Sequence, residues 1–139
     1  MCSGGIDINR NFPTKDFGTG EQCKSGDHYG GKAAGSDPET QAVMSVISAH
    51  KPRLIISLHD PLACVNYNGP SIRIARRISK LTGLPAAGDI GHPCPGSMGT
   101  YYGFERRVPL ITLELPKDEF DTLHWPGIML ETLRLPTPG

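Results

Sequence analysis

The chain has 139 residues, enough for one domain with a core of its own but short of two, and its 14 basic side chains balance 14 acidic ones for a formal net charge of +0. That balance excludes the broad basic surface by which a protein holds nucleic acid or an anionic membrane. No apolar run approaches the roughly 20 residues of a membrane-spanning helix, and no charged-then-apolar leader opens the chain, so a single domain over residues 1–139 with no membrane address is expected.

In chain order, the first signal is GIDINRNFP at residues 5–13, where an alternating Ile6-Asp7-Ile8 reads as a strand running into Asn9-Arg10-Asn11. A guanidinium presents a flat fork of donors that matches a carboxylate bidentately, and a neighbouring amide can donate to the same anion. The stretch therefore reads either as a clamp for an acidic group or as a solvated loop whose amides make turn hydrogen bonds. Residues 14–35, rich in Gly, Lys, Asp and Ser, lack a sustained period and predict a long surface loop of the kind that usually carries function.

Ser36-Asp37-Pro38-Glu39 then opens a helix over about Asp37 to His50, with Ser36 as the cap and Glu39 completing a capping box. Ala42, Val43, Val46 and Ile47 recur at helical spacing and predict one buried stripe, and Pro52 ends the helix. Arg53 to Leu58 is a continuous apolar run expected of a strand buried on both faces. Ser71 to Leu81 repeats the helical pattern with Ile74, Ala75, Ile78 and Leu81 on one face and Gly83 as the stop, and Val108 to Leu115 reads as a second buried strand. Helices alternating with buried strands predict an α/β fold, a mixed and mostly parallel sheet flanked by helices.

Ligands of such folds sit beyond the carboxyl ends of the strands. His59-Asp60 closes the first buried strand and Glu114 lies near the end of the second, a pairing that suits a metal ligand and a general base. Taken singly, the histidine is preferred as a satisfied buried side chain and the glutamate as an unrelated strand residue; their joint placement with Arg10 reverses that preference. The four cysteines, Cys2, Cys23, Cys64 and Cys94, form no C-x-x-C pair. They predict thiols in a reducing, cytoplasmic setting, with a Cys2–Cys23 bridge as the alternative.

Taken together, GIDINRNFP, GSDPET, LIISLHDPLAC, GHPCPGSMGTYYG and VPLITLELP resemble, in order and over residues 4–116, the zinc carboxypeptidase family. HDPLAC and PGS-x-G are similar to its murein peptide amidase branch, which cuts the γ-D-glutamyl–diaminopimelate bond of cell-wall peptides. The resemblance implies zinc as cofactor, His59 as a zinc ligand and Glu114 as the base that activates the metal's water. It further implies Asn9 and Arg10 as the grip on a substrate carboxylate and Asp7 as the carboxylate that orients a zinc-bound imidazole. Met98 falls where the family lines the pocket for the side chain beyond the scissile bond. His92 stands near the place of a mobile tyrosine in some relatives, and it serves either as a donor in that role or as a plain loop histidine.

The family takes its first two zinc ligands from an H-x-x-E motif upstream of the N-R-N-F segment, and this chain contains no H-x-x-E. Three readings follow: a C-terminal portion of a longer enzyme, which is preferred; a half that assembles with a separate partner; or a non-catalytic carboxylate-binding remnant. A deacylase of small amino acids is the related enzymatic alternative. The strand at 53–58 should then present a bare apolar edge, open to a complementing N-terminal segment or to self-association. The expected partner is a peptide with a free carboxylate, a murein tripeptide among them.

Overall fold

A computed structural model describes residues 5–19, 28–117 and 134. It divides into two compact units, Met1–Pro52 with His92–Arg106, and Arg53–Gly91 with Arg107–Gly139. No helix among the described residues is long and apolar enough to cross a membrane.

In the first unit the predicted strand at residues 6–8 is absent, and Ile8–Arg10 instead forms a 3₁₀ turn. The cause is local. The Asp7 carboxylate accepts the Asn9 N–H at 2.9 Å, and this side-chain bond closes a turn where an extended chain would need a partner strand. Helix α1 runs Pro38–His50, one residue inside the predicted start, with proline at its first position. Its cap is Asp37 rather than Ser36: the Asp37 carboxylate accepts from Glu39 N at 2.9 Å and Thr40 N at 3.4 Å, while the Ser36 hydroxyl donates to Ala33 O.

The apolar stripe predicted for α1 is not buried. Ala42 is exposed, Val46 is 58% exposed, Val43 and Ile47 are half-buried, and Thr40 is the helix's buried residue; among the described elements α1 packs chiefly on the 3₁₀ turn. A π-helical segment, Gly99–Glu105, supplies Tyr101 and Tyr102, whose rings lie 4.9 Å apart and pack on Phe12 at 5.8 and 6.1 Å. Arg106 stacks over the Tyr101 ring at 3.3 Å and donates to the Tyr101 carbonyl at 3.0 Å, closing that cluster.

The second unit is a four-stranded sheet of β1 (Ile55–His59), β2 (Leu62–Asn68), β3 (Ala86–Ala87) and β4 (Leu110–Pro116), in the spatial order β1-β4-β2-β3. β1 with β4 and β2 with β3 are parallel, and β2 with β4 is antiparallel, so the sheet is mixed and mostly parallel as expected. Helix α2, Ile72–Thr82, buries Ile74, Ala75 and Ile78 against Val65, Ile111, Leu113 and Leu115. Each buried isoleucine contributes about 1.5–3 kcal/mol. Gly83 ends α2 in the left-handed region at φ 76°, its N–H returning to Ser79 O.

Two expectations here are corrected. Leu81 is 42% exposed instead of joining the buried face of α2. The run at 53–58 is not buried on both faces, since β1 lies at the edge of the sheet, α2 packs over β2 and β3, and Leu58 is left 49% exposed. β1 therefore presents an apolar edge strand, as predicted. β2 was not anticipated as a strand; it follows directly on His59-Asp60-Pro61 and turns back along β4.

Candidate active site

Strand alternation places Ile111, Leu113 and Leu115 of β4 toward α2, and with them it turns Thr112 and Glu114 to the opposite face. Register then decides their neighbours. Glu114 pairs with His59 on β1 and with Cys64 on β2, so three chemically active side chains stand abreast across three strands. One step along the ladder, Thr112 pairs with Ser57 and with Asn66. The face opposite α2 is thus polar where the other is apolar, which explains why β1 and β2 each mix Ser, His, Cys and Asn into otherwise apolar runs.

The His59 ring is held by its own strand, with Nε2 lying 3.0 Å from the Ser57 hydroxyl two residues earlier on the same face. Glu114 is 5% exposed, and among the described residues nothing hydrogen-bonds or ion-pairs with its carboxylate. Burial, and after it the charge of Glu114, pushes the Cys64 thiol above its ordinary range, so Cys64 is the protonated, inert neighbour of this pair. Neither Cys64 nor Ser57 was singled out from sequence for this role, and only the register reveals them.

In the first unit the three residues Asn9-Arg10-Asn11 separate by function. Asn11 is fully buried and spent on structure: its Nδ2 donates to Gly30 O at 2.7 Å and Ala33 O at 3.0 Å, and its Oδ1 accepts from Asp37 N at 3.0 Å. Asn9 instead accepts the Met98 N–H on Oδ1 at 2.9 Å, an assignment that leaves Nδ2, the donor end, without a partner among the described residues. Arg10 is only 8% exposed and its guanidinium donates to Asn9 O at 2.9 Å; no described carboxylate pairs with it. A buried arginine with no acidic partner among the described residues, beside an amide whose donor end has none there either, is a constellation that can accept an anion.

Asp7 is already engaged, through Asn9 N on Oδ1 and through Oδ2 at 3.4 Å from Nδ1 of His28, so the imidazole beside it in this structure is His28. The 21-residue separation of that pair hid it from sequence reading. His92 is exposed on its loop, where its carbonyl receives a weak bond from Cys94 Sγ at 3.8 Å. Met98 is half-buried, tied by its backbone to Asn9.

For the bound metal that the family implies, the described residues are a poor fit. They contain no group of three or more His, Cys, Asp or Glu able to hold a metal ion, and the raised thiol of Cys64 disfavours the thiolate that would ligate one. His59 alone is the ligand candidate, and Cys2, Cys23 and His124 lie outside the described residues.

The zinc carboxypeptidase family model matches residues 2–73, just over half of the chain. Murein peptide amidase A of Vibrio campbellii is 34% identical over 125 residues, covering 80% of this chain and 48% of the relative. The protein of the same name from Escherichia coli K12 is 31% identical over 121 residues, covering 81% and 49%. The chain thus spans about half the length of the curated relatives it matches. Among solved structures, murein-tripeptide amidase MpaA from Escherichia coli O157 superposes with a TM-score of 0.78 at 28% identity, over 96% of this chain and 61% of that one.

Proposed function

The chain belongs to the zinc carboxypeptidase family, and from that premise we propose that it serves the hydrolysis of a peptide or γ-glutamyl amide bond next to a free carboxylate, with murein peptides as the substrate class. The observation that carries this reading is Arg10, a guanidinium 8% exposed with no acidic partner among the described residues. Its remaining donors, with Nδ2 of Asn9, grip the carboxylate of the substrate. Met98, fixed through its own N–H to the same amide, lines the side-chain pocket without selecting for charge. His92, exposed on the loop that leads to Met98, donates a hydrogen bond to the bound peptide.

Glu114 is the general base: a carboxylate near the end of its strand, with no hydrogen-bond or ion-pair partner among the described residues, can take the proton of an attacking water and return it to the leaving amine. His59, in register beside it and braced by Ser57, is the residue this chain offers to the family's zinc, and Asp7 is the carboxylate that steadies an imidazole. Because one imidazole does not make a zinc site, no step of the reaction is assigned to metal on these residues.

That same shortfall favours a second reading, a carboxylate-binding module without turnover. The two are separated by incubating the chain, with and without added zinc, with the tripeptide L-alanyl-γ-D-glutamyl-diaminopimelate and measuring free diaminopimelate. Release of diaminopimelate supports the hydrolase. Saturable binding that stays without release when an N-terminal segment carrying H-x-x-E is supplied with zinc supports the module.

A further inference from the structure

We infer that Gly96 is a positioning residue of the carboxylate clamp, acting through the backbone of Arg10 without touching the ligand. The inference rests on the reading of Arg10 and Asn9 as that clamp. Residues 96–98 lie along residues 9–16 and are stitched to them repeatedly. Phe12 N donates to Gly96 O at 2.9 Å, Gly96 N donates to Thr14 Oγ1 at 3.0 Å and to Asp16 Oδ1 at 3.3 Å, and Met98 N donates to Asn9 Oδ1 at 2.9 Å. These bonds surround Arg10 on both sides in sequence, and the buried Gly96 is what sits against Arg10 itself.

Two independent constraints fall on Gly96. Its φ of +73° lies in the left-handed region that side chains disfavour, and a Cβ built there would strike the Arg10 carbonyl group, 2.6 Å from its carbon and 3.2 Å from Cα. The obstacle is backbone, which cannot rotate aside as a side chain would. A methyl group at position 96 therefore has to displace Arg10, Gly96 or both. Arg10 is the last residue of a three-residue 3₁₀ turn whose next residue, Asn11, is immobilised by its buried amide, so displacement re-aims the guanidinium. A bidentate fork tolerates little misalignment.

The test measures affinity for L-alanyl-γ-D-glutamyl-diaminopimelate and for the same tripeptide with its terminal carboxylates amidated, in the wild-type chain and three variants. Wild type should prefer the acid by about tenfold or more, and Arg10→Ala should remove the preference. Gly96→Ala should lower the acid-to-amide ratio by about fivefold while leaving affinity for the amide within about twofold, a pattern that general loosening of the fold would not give. Thr14→Val/Asp16→Ala removes both acceptors of the Gly96 N–H without introducing a clash and should lower the ratio by about threefold; it decides the matter if Gly96→Ala does not fold. A wild-type ratio near one, or no binding of either ligand, removes the clamp and this inference with it. A wild-type preference that Arg10→Ala abolishes but that either folded variant keeps overturns the role of Gly96 and leaves the clamp standing.

Discussion

His59 and Glu114 stand directly opposite each other across the parallel β1–β4 ladder. Their Cα partnership fixes both side chains on the face of the sheet that α2 does not cover, and it does so through backbone hydrogen bonds that side-chain substitutions other than proline leave in place. Substitutions here therefore report on chemistry more than on fold.

Glu114→Gln should abolish release of diaminopimelate in any form that turns over, a loss of about 10² to 10⁴-fold. Glutamine keeps the volume and one acceptor but cannot take a proton. The same change keeps the side chain's size and its place in the strand, so the urea midpoint of the variant should hold. Turnover and denaturation curves on one preparation check both halves, and near-normal turnover in Glu114→Gln would reduce Glu114 to a strand residue.

The thiol of Cys64 titrates above its ordinary value because burial, and secondarily Glu114, disfavour the thiolate. In the folded chain the proton is held more tightly than in the unfolded one. The stabilisation associated with this group is therefore full below the ordinary cysteine range and is lost as pH rises through the elevated folded value. Alkylation followed by peptide mass spectrometry should find Cys64 slow in the native chain at pH 8.5 and fast in urea. Equal rates in the two states would contradict the burial and coupling described.

Capping of α1 gives a stability test away from the site. Asp37→Ala should cost about 0.5–2 kcal/mol, since it strips Glu39 N and Thr40 N of their acceptor in a buried setting, whereas Ser36→Ala should fall within about 0.5 kcal/mol. Urea unfolding of the two variants measures the contrast. Ranking them the other way would restore the serine cap read from the sequence.

These cases show what was legible. α2 and β4 were placed within a residue or two because their apolar positions follow one period and face one core, and Gly83 marks a stop that its left-handed backbone requires. The 3₁₀ turn at Ile8–Arg10 was read as a strand because alternation at residues 6–8 imitates one, while the deciding bond comes from the Asp7 side chain. β2 was missed because LACVNYN interleaves polar residues whose purpose appears only when Cys64 and Asn66 are set beside Glu114 and Thr112. Of the proposed site, Arg10, His59 and Glu114 were singled out from residue type and place. Asn9 and Asn11 are the same amino acid two positions apart, and only their tertiary partners, Met98 for one and the Gly30–Asp37 loop for the other, distinguish their structural roles. Gly96 entered the sequence reading only as part of PGS-x-G, with nothing to tie it to Arg10.

The most direct test of the central claim is a titration of wild type, Arg10→Ala and Arg10→Lys with an N-acetylated dipeptide and its C-terminal carboxamide. Loss of the guanidinium should cost about 1.5–3 kcal/mol of affinity for the acid and little for the amide. Lysine, a point charge without the fork, should recover only part of that difference. Acid bound at least tenfold more tightly than amide by wild type, with the advantage gone in Arg10→Ala, is the result predicted, at about 1.4 kcal/mol per tenfold. Equal affinity of the wild-type chain for acid and amide would contradict the account.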